Sequence, residues 1–492
     1  MPLSDRTFDT AVGTGSPDEL AGLRERALDV LTDPALARIV ELVAWADGDH
    51  LYVANAAGRS RAARNALSSV EVLAGTDPVA RQDPLAFTPL PAEFAAAEGN
   101  SYPFAWQRLA SLFDDPRAPD LAVVHTGAHH WPERGGHLGE HGSLAVVQSR
   151  APLLLSGAGV RERGVLQTAA RVVDVAPTLA WLAGASLSSL ADLDGSALVD
   201  LVTPTGGYVV GLLWDGVNSN SLTALAESGD LPAVARLLSQ GCVLAGGAIA
   251  EFPSVTLVNH TCALTGVGPG RHGIVNNSYY DRVRSETIHA NEQKTWHLAT
   301  GLLRDGVRTV FEMVDVQTAC VDEPVDRGAD YSTFALIRGG GSSDGAASMD
   351  SALPNPREDP HTTQAHVRNR NYAFGSQVDA IGLQQVLSLW ESPESAPRLM
   401  WWNSMNTDTG HHEGGPHSDI AHDSMRDADR RLGAFLAHLD SLGITDQVTF
   451  LLTADHGSEG ADPACTGDWD EALREAGVPF RDEAYGFIYL GV

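Results

Sequence analysis

Three unbroken apolar runs constrain what this chain can fold into. Tyr208 to Trp214 runs into Asp215-Gly216, Leu399 to Trp402 leads to Asp408 and His412, and Val448 to Ala454 runs into Asp455-His456-Gly457. A strand with one face in water alternates apolar and polar residues. A continuous apolar run has neither face in water and belongs in a parallel sheet covered on both sides. The fold class that follows is α/β, a central, mostly parallel sheet flanked by helices. Open sheets of this kind bind ligands at the carboxyl ends of their strands. Those ends here deliver carboxylates and imidazoles, the layout of a metal site on a sheet edge.

A fourth stretch, residues 251–274, sets a hydroxyl beside that edge. Pro253 and Ser254 turn the chain, and Val255 to Leu264 reads as a helix beginning at or near Thr256. A helix start gathers unpaired N–H groups and the positive end of the helix dipole, both of which favour phosphate or another oxyanion. A lone Ser or Thr before an apolar run is ordinarily an N-cap. The acidic and histidine-bearing strand ends make Thr256 a candidate nucleophile instead.

Taken together, Asp215-Gly216, Phe252-Pro-Ser-x-Thr256, Thr265-Gly266, His272-Gly-Ile274, Asp408-x-x-x-His412-x-x-Gly-Pro416 and Asp455-His456-Gly457 resemble one pattern. It is that of the type I phosphodiesterase/nucleotide pyrophosphatase family, within the alkaline phosphatase superfamily of two-zinc hydrolases. The resemblance implies an alkaline-phosphatase-like sheet. It implies one zinc held by Asp215, Thr256, Asp455 and His456, and a second held by Asp408, His412 and one further histidine. It also places the Asn277 side chain on a phosphoryl oxygen. Two Zn²⁺ are the expected cofactors, although nitrogen and oxygen ligands also suit Mn²⁺ or Fe.

The further histidine is where the chain departs from the family. The family carries it in a Gly-x-His-Gly segment downstream of Asp-His-Gly, and residues 458–492 contain no histidine. A matching segment lies near the other end, in Gly135-Gly-His137-Leu-Gly-Glu-His141-Gly142. Around it the strand-like run at Leu121, the run Ala151 to Gly159 and the helical run Val173 to Gly184 resemble the family's carboxyl-terminal part. The chain therefore reads as circularly permuted, with His141 as the remaining ligand and His137 as the runner-up. On this reading residues 1–200 are the family's C-terminal part within one catalytic domain. Residues 201–278 and 376–492 are the catalytic core, and 279–375 a cap-like insertion. The two ends of the chain should then be neighbours, and the last strand, 486–492, should run on into the N-terminal part.

The remaining features bound the partners. Lys and Arg number 33 against 63 Asp and Glu, a net charge of −30 that repels nucleic acid polymers and anionic membranes. A small phosphorylated substrate is the expected partner. Cys242, Cys262, Cys320 and Cys465 form no Cys-x-x-Cys pair and read as reduced thiols. No apolar run approaches bilayer length and Met1 to Asp9 has no apolar signal region, so a cytoplasmic protein is expected. The Cys-x-Pro-x-Arg segment of sulfatases is absent. Pro253-Ser-x-Thr-x-x-Asn259 also resembles phosphonoacetate hydrolase, which keeps carbon–phosphorus cleavage open beside phosphodiester, pyrophosphate or monoester hydrolysis. A binding protein on a dead hydrolase fold is the reading from another class. Asn259 is expected to brace the Thr256 turn or simply pack, and His411, His417, His422, His129 and His130 are weaker candidates.

Overall fold

The computed structural model of the chain describes residues 17–87, 100–132, 135–339 and 354–492. Its centre is an eight-stranded sheet in the order Tyr331–Ser332, Thr318–Val321, Leu399–Ser404, Tyr208–Trp214, Val448–Thr453, Leu153–Gly157, Gly241–Leu244, Gly164–Leu166. Leu153–Gly157 runs antiparallel to both neighbours, and every other pair is parallel. The three apolar runs lie side by side, and every residue in them is buried. Their register pairs Trp214 with Ser404 and Leu213 with Thr453. The residues that follow each strand therefore emerge together at one edge.

Helices cover the faces. Val175–Leu182 and Thr256–Thr265 pack against each other, while Arg370–Leu389 and Asp419–Leu442 pack together elsewhere on the sheet. Asp419–Leu442 is a full-length amphipathic helix, opened by Ser418, whose hydroxyl accepts from Ala421 N–H, and closed by Gly443 with a positive φ. Among the described residues no helix is long and apolar enough to cross a membrane.

A second sheet, antiparallel and seven-stranded, runs Phe480–Glu483, Phe487–Leu490, Leu121–His125, Val40–Asp47, His50–Asn55, Gly58–Ala63, Ala66–Gly75. The apolar runs at 39–43, 51–53 and 121–125 anticipate three of these strands. Gly58–Ala63 has no such signal, since Gly-Arg-Ser-Arg-Ala-Ala holds no β-branched residue. Its partner creates it: Asn55 Oδ1 accepts from the N–H groups of Ala57 and Gly58, and the turn lays the segment along His50–Asn55. The last strand, Phe487–Leu490, pairs with Leu121–His125, which builds the chain's end into the sheet of the N-terminal segment. The helix Pro17–Leu31 lies beside it, so that a Cβ on Gly491 would stand 3.2 Å from Leu20 Cδ2. Met1 lies outside the described residues, as do 88–99 of the Pro- and Ala-rich stretch 85–105 and 340–345 of the Gly-rich stretch 338–345, both of which read as loops in sequence.

The segment expected as an insertion, 279–375, is not all cap. Thr318–Val321 is buried at every position and pairs with Leu399–Ser404, and Tyr331–Ser332 forms the sheet's edge beyond it. A central strand buried on both faces needs a hydrogen-bonded neighbour on each side, and this segment supplies one. Residues 376–390 read as helical in sequence, and the helix begins earlier, at Arg370, capped by Asn369, whose side chain accepts from Asn371 and Tyr372 N–H. Residues 1–200 divide between the sheets. Strands up to His125 build the antiparallel one, and 153–157 and 164–166 join the central one.

One buried carboxyl makes the stability of this arrangement pH-dependent. Glu41, 6% exposed, accepts hydrogen bonds at Oε1 from Tyr102 and Asn100, and its Oε2 has no partner. Burial outweighs those bonds and raises its pKa from 4.5 to about 7. The folded chain thus keeps a proton that the unfolded chain gives up between pH 4.5 and 7, and this group's contribution falls as pH rises through that window. Glu41→Gln should stabilise the protein at pH 8 by on the order of 3 kcal/mol and leave it nearly unchanged at pH 4, as read from urea unfolding.

Candidate metal centre

Asp215 follows Trp214 at the carboxyl end of its strand, and Asp455 and His456 follow Thr453 at the end of the next. Asp408 and His412 arrive one step later. The strand Leu399–Ser404 passes into the helix Asn406–Gly414, and i,i+4 spacing sets both side chains on one face, with His412 Nε2 3.3 Å from Asp408 Oδ2. Gly216 makes this convergence possible. Its φ is +64°, and a Cβ there would stand 2.3 Å from Asp408 Oδ1, so no larger residue fits after Asp215.

Thr256 is the first residue of the helix Thr256–Thr265, and Val255 occupies the N-cap position. The hydroxyl is therefore not consumed as a cap and lies 3.4 Å from His456 Nε2. The turn before it is fixed by its neighbours. Ser254 Oγ donates to Ser143 O and accepts from Gly142 N–H, and Asn259 Nδ2 donates to the carbonyls of Glu251, Pro253 and Val255. Asn259 thus braces the Thr256 turn. Asn277 Oδ1 accepts from Leu257 N–H at 3.1 Å, next to the hydroxyl.

His141 comes from the N-terminal segment, and its Nε2 lies 3.2 Å from His412 Nε2. Three imidazoles share one orientation. The Nδ1–H of His141 donates to Ser254 O at 3.0 Å, that of His412 to Gly139 O at 2.8 Å, and that of His456 to Gly457 O at 2.9 Å. A backbone carbonyl on Nδ1 fixes the tautomer and leaves the Nε2 lone pair for a metal. The carboxylates leave room for one as well, since Asp215 Oδ1 and Asp408 Oδ1 are buried without a hydrogen-bond partner.

The electrostatics point the same way. Burial, then the charges of Asp455 and Asp408, push Asp215 up to about 8. Burial acts on Asp455 too, but His456 outweighs it and holds that carboxyl down at about 2. Burial disfavours the charged form of His456 and of His412, yet their carboxylate partners raise them to about 9 and about 10. Carboxylates crowded this closely repel one another, and a divalent cation relieves the repulsion.

Among the described residues, donor atoms within 4.8 Å of one another form three groups: Asp215, His260 and Asp455; His141, Asp408 and His456; His137, Glu140 and His412. These differ from the two sets that the family resemblance implies, because the rings of His141 and His456 stack at 3.8 Å and bring His456 toward Asp408. His137, 4.1 Å from the His412 ring, lies on the far side of His412 with Glu140. His411 is a structural residue: its Nδ1–H donates to Thr407 O and its Nε2 accepts from Asn218 N–H. His417 meets Ser221 and Glu459, and His129 meets Gly467 O, so neither belongs to these groups. Nor do His130 and His422.

His260 carries no motif, and sequence reasoning did not single it out. Its Nδ1 meets Glu323 Oε2 at 2.8 Å, and its Nε2 faces Asp215 Oδ2 at 3.5 Å and Asp455 Oδ2 at 3.7 Å. Burial disfavours its charge, but Glu323 and Asp215 outweigh burial and raise it well above the ordinary histidine range. Its i+4 spacing from Thr256 was the available signal, since both lie on one helical face. Glu323 is fully buried and also accepts from Trp401 Nε1 and Val325 N–H. A cavity of about 830 Å³ opens from Thr256, Asp215 and Asp408 and is walled in part by Trp296, Phe334 and Phe374.

The ligand geometry separates the two histidine candidates. His141→Ala should lower bound metal by about one ion per chain, while His137→Ala should retain it, as measured by elemental analysis after dialysis. The opposite result would make His137 the ligand.

Comparison with known proteins returns one family and a set of solved structures. Residues 209–491 match the family described as type I phosphodiesterase / nucleotide pyrophosphatase. No curated protein matches the chain. Among solved structures it is similar to a phosphonoacetate hydrolase from Sinorhizobium meliloti 1021 in complex with phosphonoformate, at 21% identity and a TM-score of 0.34, over 51% of this chain and 56% of that one. It is also similar to murine ectonucleotide pyrophosphatase / phosphodiesterase 5, an inactive form in complex with AMP, at 15% identity and a TM-score of 0.37, over 56% of this chain and 64% of that one. The chain spans less than two thirds of the length of either. With the family match extending over more than half of the sequence, the chain belongs to the type I phosphodiesterase / nucleotide pyrophosphatase family.

Proposed function

We propose that this protein is a two-metal hydrolase that cleaves a phosphodiester or nucleotide pyrophosphate through a phosphothreonine on Thr256. One observation carries the reading: an uncapped hydroxyl at a helix start, 3.4 Å from His456, meets the buried carboxylates Asp215 and Asp408, each with a partnerless oxygen, and imidazoles whose Nδ1 is held by a backbone carbonyl and whose Nε2 faces the cluster. Asp215, Thr256, Asp455 and His456 would hold one ion, and Asp408, His412 and His141 the other. Two bound divalent ions would supply charge stabilisation at the phosphoryl oxygens and lower the proton affinity of hydroxyl groups. Zinc suits this donor set, and Mn²⁺ or Fe would also be accepted.

The chain's own residues account for the rest. Thr256 Oγ1 attacks phosphorus in line, forming its bond as the bond to the leaving oxygen breaks, and water then cleaves the phosphothreonine. Asn277 uses its oxygen on Leu257 N–H, so its Nδ2 is the group left to donate to a phosphoryl oxygen. The cavity beside Thr256 receives the leaving group. Asn259, at the end of Pro253-Ser-x-Thr-x-x-Asn, favours carbon–phosphorus hydrolysis as the second reading.

We further infer that the motif order is circularly permuted. Three placements support this: His141 lies against His412, Glu140 pairs with Glu459, and the last strand pairs with Leu121–His125. A reducing, cytoplasmic setting fits the four cysteines, all buried and unpaired.

The test is the initial rate of metal-reconstituted protein on an aryl phosphodiester, its monoester and phosphonoacetate, with and without chelator. We expect a chelator-sensitive preference for the diester. Preference for phosphonoacetate would move the protein to carbon–phosphorus cleavage, and no turnover at all would indicate a binding protein. Thr256→Ala should lower kcat by roughly 10³ or more with metal content retained. Substantial residual rate would place the nucleophile elsewhere.

A further inference from the structure

The sheet edge continues past the metal centre. Beyond Asp215, the next strand ends at Asn403-Ser404 and the one after it at Val321, followed by Asp322. Register pairs Val321 with Trp402, which sets Asp322 beside Asn403, and both line the cavity that opens from Thr256. Two strand spacings separate Asp322 from Asp215, about 10 Å.

Each side chain keeps one oxygen without a donor, and the Asp322 oxygen lies against Gly382 of the helix Arg370–Leu389, where a Cβ would stand 2.1 Å from it and 3.0 Å from Trp402 Nε1. Asp322 is 6% exposed and Asn403 4%, and Asp322 Oδ2 and Asn403 Oδ1 have no hydrogen-bond partner. The orientation of the Asn403 amide is fixed, because its Nδ2 donates to Asp322 O at 3.0 Å. Asp322 holds a left-handed backbone conformation, φ 54°, unusual for a residue other than glycine. The cations on the cavity wall are already engaged, Lys294 with Glu292 and Arg338 with Asp326. Buried acceptors left unmatched destabilise a fold unless a ligand donor meets them. A protonated amine offers several N–H donors and a charge opposite to the carboxylate, and the aromatic rings of Trp296, Phe334 and Phe374 wall the same cavity.

We propose that this cavity binds the leaving group of the substrate, and that the leaving group carries a protonated amine, received by Asp322 and Asn403 and set off from phosphorus by an apolar spacer. This rests on the phosphoryl-cleaving reading of the adjoining site. Burial, and then the nearby charge of Asp379, raise the Asp322 carboxyl well above the ordinary carboxylate range, so a cation would bind with release of a proton.

The test is calorimetric titration of the metal-loaded protein with phenethylamine and with 2-phenylethanol, its neutral counterpart, which needs no turnover. The amine should bind at least about tenfold more tightly. Asp322→Asn should bring the two affinities to within a factor of about two. Equal affinities in the unaltered protein would overturn the proposal, and that comparison stands even if the variant does not fold. A preference that survives in Asp322→Asn would also overturn it, since the amine would then be held elsewhere, at a metal for example. If the amine preference depends on Asp322 while no phosphodiester is turned over, the amine site stands and the hydrolase reading falls.

Discussion

Like charges forced together at the end of a parallel sheet set the terms for the rest of this molecule. Asp215 and Asp455 are almost wholly buried, and Asp408 lies beside both. Parallel register leaves no freedom to separate them, because strands paired along their length must end together. A buried carboxylate is expensive unless matched by charge and hydrogen bonds. His456 meets Asp455 at 3.0 Å and His412 meets Asp408 at 3.3 Å, but Asp215 has the more distant His260 at 3.5 Å and His456 at 3.9 Å. Asp215 is accordingly the carboxyl raised in pKa, to about 8, while Asp455 is held low. Glu323 answers this imbalance from behind, since its carboxylate holds His260 charged and aimed at Asp215.

The N-terminal segment completes the site through backbone contacts that only small residues permit. Leu138 N–H donates to His412 O, and Gly139 O accepts from His412 Nδ1–H, so the segment clamps that histidine at both its backbone and its ring. Gly142 then turns with φ +103°, where a Cβ would stand 2.4 Å from the ring of Tyr485. The same turn presents Gly142 N–H and Ser143 O to Ser254 Oγ, two residues before Thr256. One short segment thus holds both His412 and the turn that leads into Thr256.

Much of this was legible because burial leaves a mark on sequence. Runs such as Val448 to Thr453 admit few placements, and the acidic residues and histidines after them share an edge as soon as the strands are taken as parallel. Asp215, Asp408, His412, Asp455 and His456 are near one another for that reason, and Thr256 and His141 are brought to them by the helix start and the N-terminal segment. His260 and Glu323 were not legible, since their meeting depends on the rotation of one helix against a strand whose residues lie in what reads as an insertion. Thr318–Val321 is too short to stand out from its polar surroundings, and tertiary pairing with Leu399–Ser404 makes it a strand. The antiparallel sheet was half visible for a similar reason, because Gly58–Ala63 becomes a strand only through its hairpin partner.

A chain with a net charge of −30 is a poor attractor of phosphorylated molecules at long range. Its affinity for them has to be generated locally, and the sheet edge supplies the means. Under the proposed function, the carboxylates and imidazoles gathered in a buried cluster would hold divalent cations, and those cations would invert the sign of the field where a phosphoryl group would sit. Farther along the same edge, Asp322 and Asn403 line the cavity walled by aromatic rings, and under the proposal above Asp322 would be ionised only when a cation is bound there. Under the proposed assignments one row of strand ends, with Asp322, Asp215 and Asp455 along it, would present opposite signs to the two ends of a substrate. The orientation of that substrate would follow from which carboxylates carry metal and which do not.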